Sequence, residues 1–192
     1  MNYNNFQNFS TKRISWLISY LWGLAEGLVF FIIPDVYIAF IALFSISGGL
    51  YAILFSVLGS LTAGIIMFLI VSRVDDNINT FLDKIPAISN SMIYQVSENL
   101  SNKGLIEMVT APLNGIPYKI YAAQAALNES SLFEFLFWTV PARLLRILPV
   151  TIVALVVSFL LKKYIKKYTT FFVFSYLIVW VIIYIFYFTN IK

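Results

Sequence analysis

Residues 25–43 read AEGLVFFIIPDVYIAFIAL, an apolar stretch interrupted by two acidic residues and one proline. The stretch lies within a run from residue 14 to residue 71 that is almost continuously apolar. One transmembrane helix needs about 20 apolar residues, so this run is long enough for two or three helical pieces. Proline ends or kinks a helix, and we therefore expect a break between two of these pieces at Pro34.

The composition of the whole chain places it in a membrane. Of its 192 residues, 60% are hydrophobic and 11% are charged, whereas soluble domains have about 45–50% apolar and about 25% charged residues. A chain of this length cannot bury such an excess in a core, so most of it must face lipid. The absence of Cys and His excludes disulfides, thiol–histidine catalysis and any zinc or haem site built on those residues. We expect no cofactor, no metal and no enzymatic activity.

The polar loop at residues 73–104 follows this run and is expected to form one or two amphipathic helices, for example around Ile78, Phe81, Leu82 and Ile85. It is the most polar part of the chain and carries several acidic residues, among them Asp75 and Asp76. Such helices would lie outside the hydrocarbon region.

The next segment, residues 105–127, is weakly apolar and is broken by Pro112, Gly115 and Pro117. Two prolines and a glycine would leave backbone groups unsatisfied in a helix that faces lipid. A re-entrant hairpin packed against protein fits this segment better.

Two further helices are expected in the last third of the chain. Residues 132–161 predict one long helix kinked near Pro141 and Pro149, and a basic loop follows at residues 162–168. Residues 170–188 then predict a final transmembrane span.

The basic residues beside these segments predict the orientation in the membrane. Lys12 and Arg13, and the lysine-rich loop, should both be cytoplasmic, and the acidic central loop should lie outside. An odd number of crossings must then separate Arg13 from Arg73. A first hairpin that enters and returns on the cytoplasmic side, followed by one span over residues 50–71, satisfies this condition, as would three full spans.

The predicted fold is therefore an all-α polytopic membrane protein. It has two opposed re-entrant helical hairpins and three to four transmembrane helices. The chain divides into a cytoplasmic N-terminal segment (residues 1–13), a membrane domain (14–161) that includes the polar loop, and a basic loop with the C-terminal transmembrane helix (162–192).

Five charged residues lie inside apolar stretches: Glu26, Asp35, Lys119, Arg143 and Arg146. Each would cost about 2.5–3.5 kcal/mol at the centre of a transmembrane helix, so we expect them to pair in the bundle interior. Arg143 and Arg146 are three residues apart and share one helix face. Three positive and two negative charges leave an excess of one positive charge. That excess suits a phosphate ester, which guanidinium groups bind in a bidentate manner.

Each of these residues also has a structural interpretation. Glu26 could lie near the membrane interface, and Asp35 could cap the helix that follows Pro34. The two arginines could tie their helix to backbone carbonyls, and Lys119 could extend its side chain to lipid headgroups.

Pairs of small residues four apart predict close helix packing. The pairs are Gly23 with Gly27, Gly59 with Ala63, and Ser60 with Gly64.

The stretch at residues 25–43 resembles the first signature of the DedA family, also called the VTT or SNARE-associated domain. In that signature an acidic residue precedes a proline-containing break that itself ends in Glu or Asp. LNGIPYKIYAAQAAL (residues 113–127) resembles the second re-entrant segment of small, YqaA-like members, and VPARLLR (140–146) resembles the helix that follows it. The resemblance spans residues 16–161. The chain departs from it in having a single proline in the first break and Ala126 where a glycine is common.

The resemblance implies a lipid transporter of the bacterial inner membrane, similar to flippases or scramblases. Bacterial relatives return undecaprenyl phosphate across the membrane, and eukaryotic relatives scramble phospholipids. Glu26 and Asp35 would match the family's essential acidic positions and couple protons or counter-charge, and Arg143 would match its essential arginine and bind the phosphate. Arg146 and Lys119 are added as phosphate-binding residues by the charge argument alone.

The expected partners are membrane lipids, either an anionic phospholipid or a polyprenyl phosphate, and no nucleic acid. The sequence leaves open whether protons drive transfer and whether the chain forms a homo-oligomer. It also leaves open two other functions. One is a proton- or cation-coupled transporter of small solutes, and the other is a membrane assembly protein that transports nothing.

Overall fold

The computed structural model describes residues 2–71, 73, 78–110 and 115–190 of the chain. Every regular element within these residues is a helix, which confirms the all-α prediction. Three of the described helices are long and apolar enough to cross a membrane: Ile46–Val71, Leu132–Lys167 and Thr169–Thr189. Pro112, Asp75 and Asp76 lie outside the described residues.

The helices of the described residues follow one another in a simple order. They are α1 (Tyr3–Ser10), α2 (Arg13–Leu28), α3 (Asp35–Phe44), α4 (Ile46–Val71), α5 (Ile78–Asp83), α6 (Asn90–Lys103), a 3₁₀ helix (Leu105–Val109), α7 (Tyr118–Leu127), α8 (Leu132–Lys167) and α9 (Thr169–Asn190).

The apolar run breaks where the proline predicts. Helix α2 ends at Leu28 and α3 begins at Asp35, and we call the non-helical residues 29–34 between them the first break. The chain then returns towards its start, because Phe44 at the end of α3 stacks on Phe6 of α1 with ring centroids 4.9 Å apart. Helices α2 and α3 with the first break therefore form a hairpin-shaped unit, and α4 follows it as one long helix.

Small residues bring α2 and α4 into close contact, as their spacing predicts. A Cβ atom at Gly23 would collide with the carbonyl oxygen of Ser56, and one at Gly59 would collide with the carbonyl oxygen of Tyr20. Any larger side chain at these two glycines would push the helices apart. This packing holds the end of α2 firmly against α4.

Helix α7 is surrounded by protein rather than lipid. All eight residues from Tyr118 to Ala125 are buried, as expected for a helix enclosed on every side. Gly115 has a φ of +72°, which a glycine adopts at little cost, and Pro117 lies immediately before the helix. We call residues 115–117 the second break. The burial of α7 confirms that this segment packs against protein.

The described part of the polar loop contains α5 and α6, each with one buried face, as the prediction of one or two amphipathic helices expects; the 3₁₀ helix follows the loop. Ile78, Leu82 and Ile85 are buried in the core that α7 also joins, whereas Phe81 is exposed. Helix α5 has only six residues, so its buried face is narrow and Phe81 falls outside it.

The lysine cluster forms the last turns of α8 and not a loop, so the prediction of a basic loop at residues 162–168 is wrong. Helix α8 has 36 residues, which gives a length of about 54 Å. This length exceeds the hydrocarbon core of about 30 Å, so the helix can continue past the membrane with charged residues on its end.

The described part of the N-terminal segment (residues 2–13) and the lysine cluster meet at one end of the bundle. Nζ of Lys166 is 5.3 Å from the ring centroid of Tyr3 in α1. Ile165 and Val173 also pack with Tyr3 and Phe44 in one cluster. Their shared location agrees with the expectation that both basic segments lie on one side of the membrane.

Candidate functional site

The structure brings together all five of the charged residues that lie within apolar stretches of the sequence. An oxygen of Glu26 lies 2.6 Å from a terminal nitrogen of Arg143. Arg146 lies between the two carboxylates, 3.6 Å from the other oxygen of Glu26 and 3.5 Å from Asp35. The expected pairing of opposite charges in the bundle interior is confirmed.

Each charge reaches this cluster from a helix end or a helix face that the sequence defines. Glu26 is in the last turn of α2, and Asp35 is the first residue of α3, so the first break separates them. Arg143 and Arg146 are one turn apart on α8. Lys119 is the second residue of α7 and follows the second break.

The cluster is almost completely shielded from the surroundings. Relative exposure is 2% for Glu26, Lys119 and Arg143 and 1% for Asp35, and the side chain of Arg146 is 17% exposed. Unpaired charges in such a place would be expensive. The ion pairs therefore explain how the burial of four of these five charged groups, all except Lys119, is energetically possible.

Lys119 differs from the other four charges in its partner. Its Nζ donates a hydrogen bond to the backbone carbonyl of Phe30 at 3.1 Å, and among the described residues it makes no ion pair. Phe30 belongs to the first break, so this bond joins the two broken segments directly. The two segments are therefore in contact, and the Lys119 ammonium has no carboxylate oxygen of the described residues within ion-pair distance.

Arg143 is held in place by an aromatic ring as well as by Glu26. Its guanidinium carbon lies 4.0 Å from the ring centroid of Tyr118, an arrangement typical of a cation–π interaction. The hydroxyl of Tyr118 donates to the carbonyl of Ser60 at 3.2 Å and lies 3.2 Å from the hydroxyl of Thr139. These contacts link α4, α7 and α8 around Arg143.

A cavity of about 200 Å³ opens beside the charged cluster. Its charged lining consists of Glu26, Lys119 and Arg146, with Gly115 and Pro117 of the second break close by. Arg143 and Asp35 are not among the described residues that line it. The two basic groups that a small molecule in the cavity would meet are therefore Lys119 and Arg146.

The cavity also has a wall that the sequence analysis did not assign to the site. Trp180, Ile183, Tyr184 and Tyr187 of α9 line it. The hydroxyl of Tyr184 accepts a hydrogen bond from the backbone N–H of Ile33 at 2.8 Å, and the hydroxyl of Tyr187 donates to the carbonyl of Gly115 at 3.4 Å. Helix α9 thus contacts both breaks. A signal was present in the sequence, since aromatic residues recur every four positions at 176, 180, 184 and 188.

The donor set of the site suits an anion better than a cation. Glu26 and Asp35 are both paired with arginines. Within the described part of the chain, no three side chains of the types that ligate metals come together. Guanidinium and ammonium groups that face a cavity are the usual partners of phosphate and carboxylate groups.

Comparisons with protein-family models, with curated proteins and with solved structures find no match for this chain. The resemblance to the DedA family therefore stays a prediction that rests on the short stretches quoted above.

Proposed function

We propose that this protein moves an anionic lipid across a membrane and binds the phosphate of the lipid headgroup in the cavity beside Lys119 and Arg146. The observation that carries the proposal is the excess of positive charge at this cavity. Lys119 and Arg146 line the cavity with Glu26 as the one carboxylate among the described lining residues. The ammonium group of Lys119 is bonded to a neutral carbonyl, and the whole cluster has three basic and two acidic side chains. A buried positive charge of this kind is costly unless an anion neutralises it.

In this proposal the two breaks are the tips of two re-entrant hairpins that enter from opposite sides of a bacterial inner membrane. Helices α4, α8 and α9 cross the membrane, and both basic segments are cytoplasmic. The contact between Lys119 and Phe30 supports the facing arrangement of the hairpins. Facing broken helices around a central site are a common architecture of transporters.

The two arginines have different tasks in this scheme. Arg143 is buried against Tyr118 and lies 2.6 Å from Glu26, so it positions the Glu26 carboxylate. Arg146 is partly exposed, and its contacts to Glu26 and Asp35 are longer, at 3.6 and 3.5 Å. Its longer contacts can be exchanged for contacts to a phosphate more easily than the 2.6 Å contact of Arg143. Glu26 and Asp35 balance the arginines when the cavity is empty, or take up protons when it is filled.

The size of the cavity limits what can enter it. About 200 Å³ corresponds to the liquid volume of about six or seven water molecules. Sites for whole drug-sized ligands are larger, about 300–1,000 Å³. The cavity therefore suits a phosphate headgroup, while the hydrocarbon chains stay outside the cavity.

The test is transfer of a fluorescent polyprenyl phosphate and a fluorescent phospholipid in proteoliposomes that contain the purified protein. Lys119→Gln and Arg146→Gln should each slow transfer about tenfold or more, because each loses a charge-assisted hydrogen bond of about 1.5–3 kcal/mol. Lys84→Gln, an exposed lysine of the polar loop, is the matched control and should transfer at the wild-type rate. Size-exclusion profiles and helical content show whether each variant folds.

Other outcomes would support the two alternative functions. Movement of cations without movement of either lipid would favour a small-solute transporter, although the net positive charge of the cluster argues against a cation. Unchanged behaviour of folded Lys119→Gln and Arg146→Gln, with no lipid transfer by any variant, would favour an assembly protein.

A further inference from the structure

A second concave surface lies on the outer side of the cavity wall. It is an apolar groove between the first break and α9, and its sides include Phe31, Val36, Leu177, Val181, Ile185 and Phe188. Helix α9 is long and apolar enough to cross a membrane, so this groove opens towards lipid. The proposed headgroup site does not use it.

The groove and the cavity share part of their walls. Phe31 of the first break and Trp180 and Tyr184 of α9 line both. These three aromatic side chains therefore form the partition between a charged compartment and an apolar one. A molecule that occupies both compartments must place an anionic end in the cavity, on one side of this partition, and an apolar end in the groove, on the other side.

Helix α9 is attached to the first break and to the first turn of α3 by two tyrosine hydroxyls and by the ring of Phe188, which packs on Phe31. Tyr184 accepts a hydrogen bond from the N–H of Ile33 at 2.8 Å, and Tyr176 donates one to the carbonyl of Val36 at 2.5 Å. Rings of Trp180 and Tyr184 lie next to each other, with centroids 6.3 Å apart. Two hydrogen bonds and these ring contacts therefore hold the partition together.

We propose that the groove holds one hydrocarbon chain of the same lipid whose phosphate occupies the cavity, so that the lipid enters sideways past Trp180 and Tyr184. This inference rests on the proposed function and adds where the apolar part of the substrate lies. Continuity with the charged cavity selects the occupant, because the two compartments meet at one partition. Lipid chains are as apolar as the groove, so the groove adds little affinity. It orients the chain so that the headgroup faces the cavity.

A pair of valines on α9 gives a matched test. Val181 lines the groove, whereas Val179 is not among the described residues that line the groove or the cavity. Both are exposed in the structure, at 57% and 53%. Residues two positions apart in a helix differ by about 200° around its axis, so the side chains of Val179 and Val181 point in nearly opposite directions. Val181→Trp fills the groove, and Val179→Trp adds the same bulk to the other side of the helix.

The experiment measures two properties of wild type and both variants. One is the rate at which fluorescent dioleoyl phosphatidic acid crosses phosphatidylcholine proteoliposomes. The other is the binding of inorganic phosphate to the purified protein. We expect Val181→Trp to slow transfer about tenfold, because the tryptophan side chain occupies the space that the hydrocarbon chain needs, and Val179→Trp to leave it unchanged. All three proteins should bind phosphate equally, because phosphate has no chain to place in the groove.

Three results would overturn the inference. Equal transfer by the two variants would show that the groove does not guide the chain, whether both match wild type or both are slowed. Loss of phosphate binding in Val181→Trp would show that the groove only shapes the cavity. Wild type that neither binds phosphate nor moves the lipid would refute the inference together with the proposed function.

A neutral lipid separates the two claims. Dioleoyl glycerol has the same chains without the phosphate. Suppose that wild type moves this lipid as fast as the phosphate lipid, that Lys119→Gln moves both lipids at the wild-type rate, and that Val181→Trp slows both. The groove would then bind chains, and the proposed phosphate site would be wrong.

Discussion

Replacing Arg143 with methionine should destabilise the protein by about 3 kcal/mol. The substitution removes the partner that lies 2.6 Å from the Glu26 carboxylate, whose side chain is 3% exposed. Removing one member of a buried ion pair costs about 3–5 kcal/mol, since the other charge stays buried without compensation. Arg146 remains 3.6 Å from Glu26, which places the expected cost at the lower end of this range.

The assay is unfolding of the purified protein in mixed detergent micelles, followed by the loss of helical content as denaturing detergent is added. Lys103→Met is the matched control, because it breaks the ion pair to Glu107 at 3.4 Å on the surface of α6, where the lysine side chain is 59% exposed. Such a pair contributes less than about 1 kcal/mol. Adding Glu26→Gln to Arg143→Met should recover much of the lost stability, because no unpaired carboxylate is then left.

Two results would refute this reasoning. One is a stability loss in Arg143→Met no greater than in Lys103→Met. The other is a double variant, Arg143→Met with Glu26→Gln, that is as unstable as the single variant. In either case the buried charge of Glu26 would not be what Arg143 compensates.

Two further predictions concern α9 and the membrane orientation. Tyr184→Phe should increase deuterium uptake at the first break, because the N–H of Ile33 loses its acceptor. Tyr164→Phe, at an exposed position of α8, should not, and equal uptake in both variants would contradict the assigned bond. The chain has no native cysteine, so single cysteines report topology directly. A membrane-impermeant maleimide applied to intact cells should label Lys84→Cys and not Lys163→Cys, and the reverse pattern would show the opposite orientation.

The charged cluster could be predicted from the sequence because charges inside apolar segments leave few choices. Glu26 and Asp35 flank a proline break, and Arg143 and Arg146 share a face of one helix. A bundle of this size has one interior, and groups that cannot face lipid must meet there. The break at Pro34 and the close packing of α2 and α4 were likewise predictable, since each follows from a local property of the backbone.

The different contacts of the two arginines could not be predicted from the sequence. Arg143 and Arg146 are three residues apart and differ by only about 60° around α8. That small angle decides that one stacks on Tyr118 and the other lines the cavity. The rotation of α8 depends on how α4 and α7 pack against it, which no local pattern in α8 specifies.

The contribution of α9 and the end of α8 depended on tertiary structure as well. Residues 170–188 have the composition of any lipid-facing span, and their tyrosines and tryptophan also fit a membrane interface. The aromatic residues at 176, 180, 184 and 188 indicate one face of the helix but not what that face contacts. The bonds to Ile33 and Gly115 place the helix at the site. The lysine cluster that precedes α9 contains no residue that breaks a helix. The positive charges therefore predicted a loop at residues 162–168, where the backbone continues α8 as a helix.

The charge of the cluster bears on whether transfer needs a proton. With Lys119 and the two arginines positive and the two carboxylates negative, the empty site carries a charge of about +1. A phosphate diester brings about −1 and makes the site neutral. A phosphate monoester brings about −1.5 to −2, so the filled site becomes negative unless Glu26 or Asp35 takes up a proton. Excess charge in a low-dielectric site is unfavourable. In the proposed mechanism, transfer of a polyprenyl phosphate therefore calls for proton uptake, whereas transfer of a phospholipid diester does not.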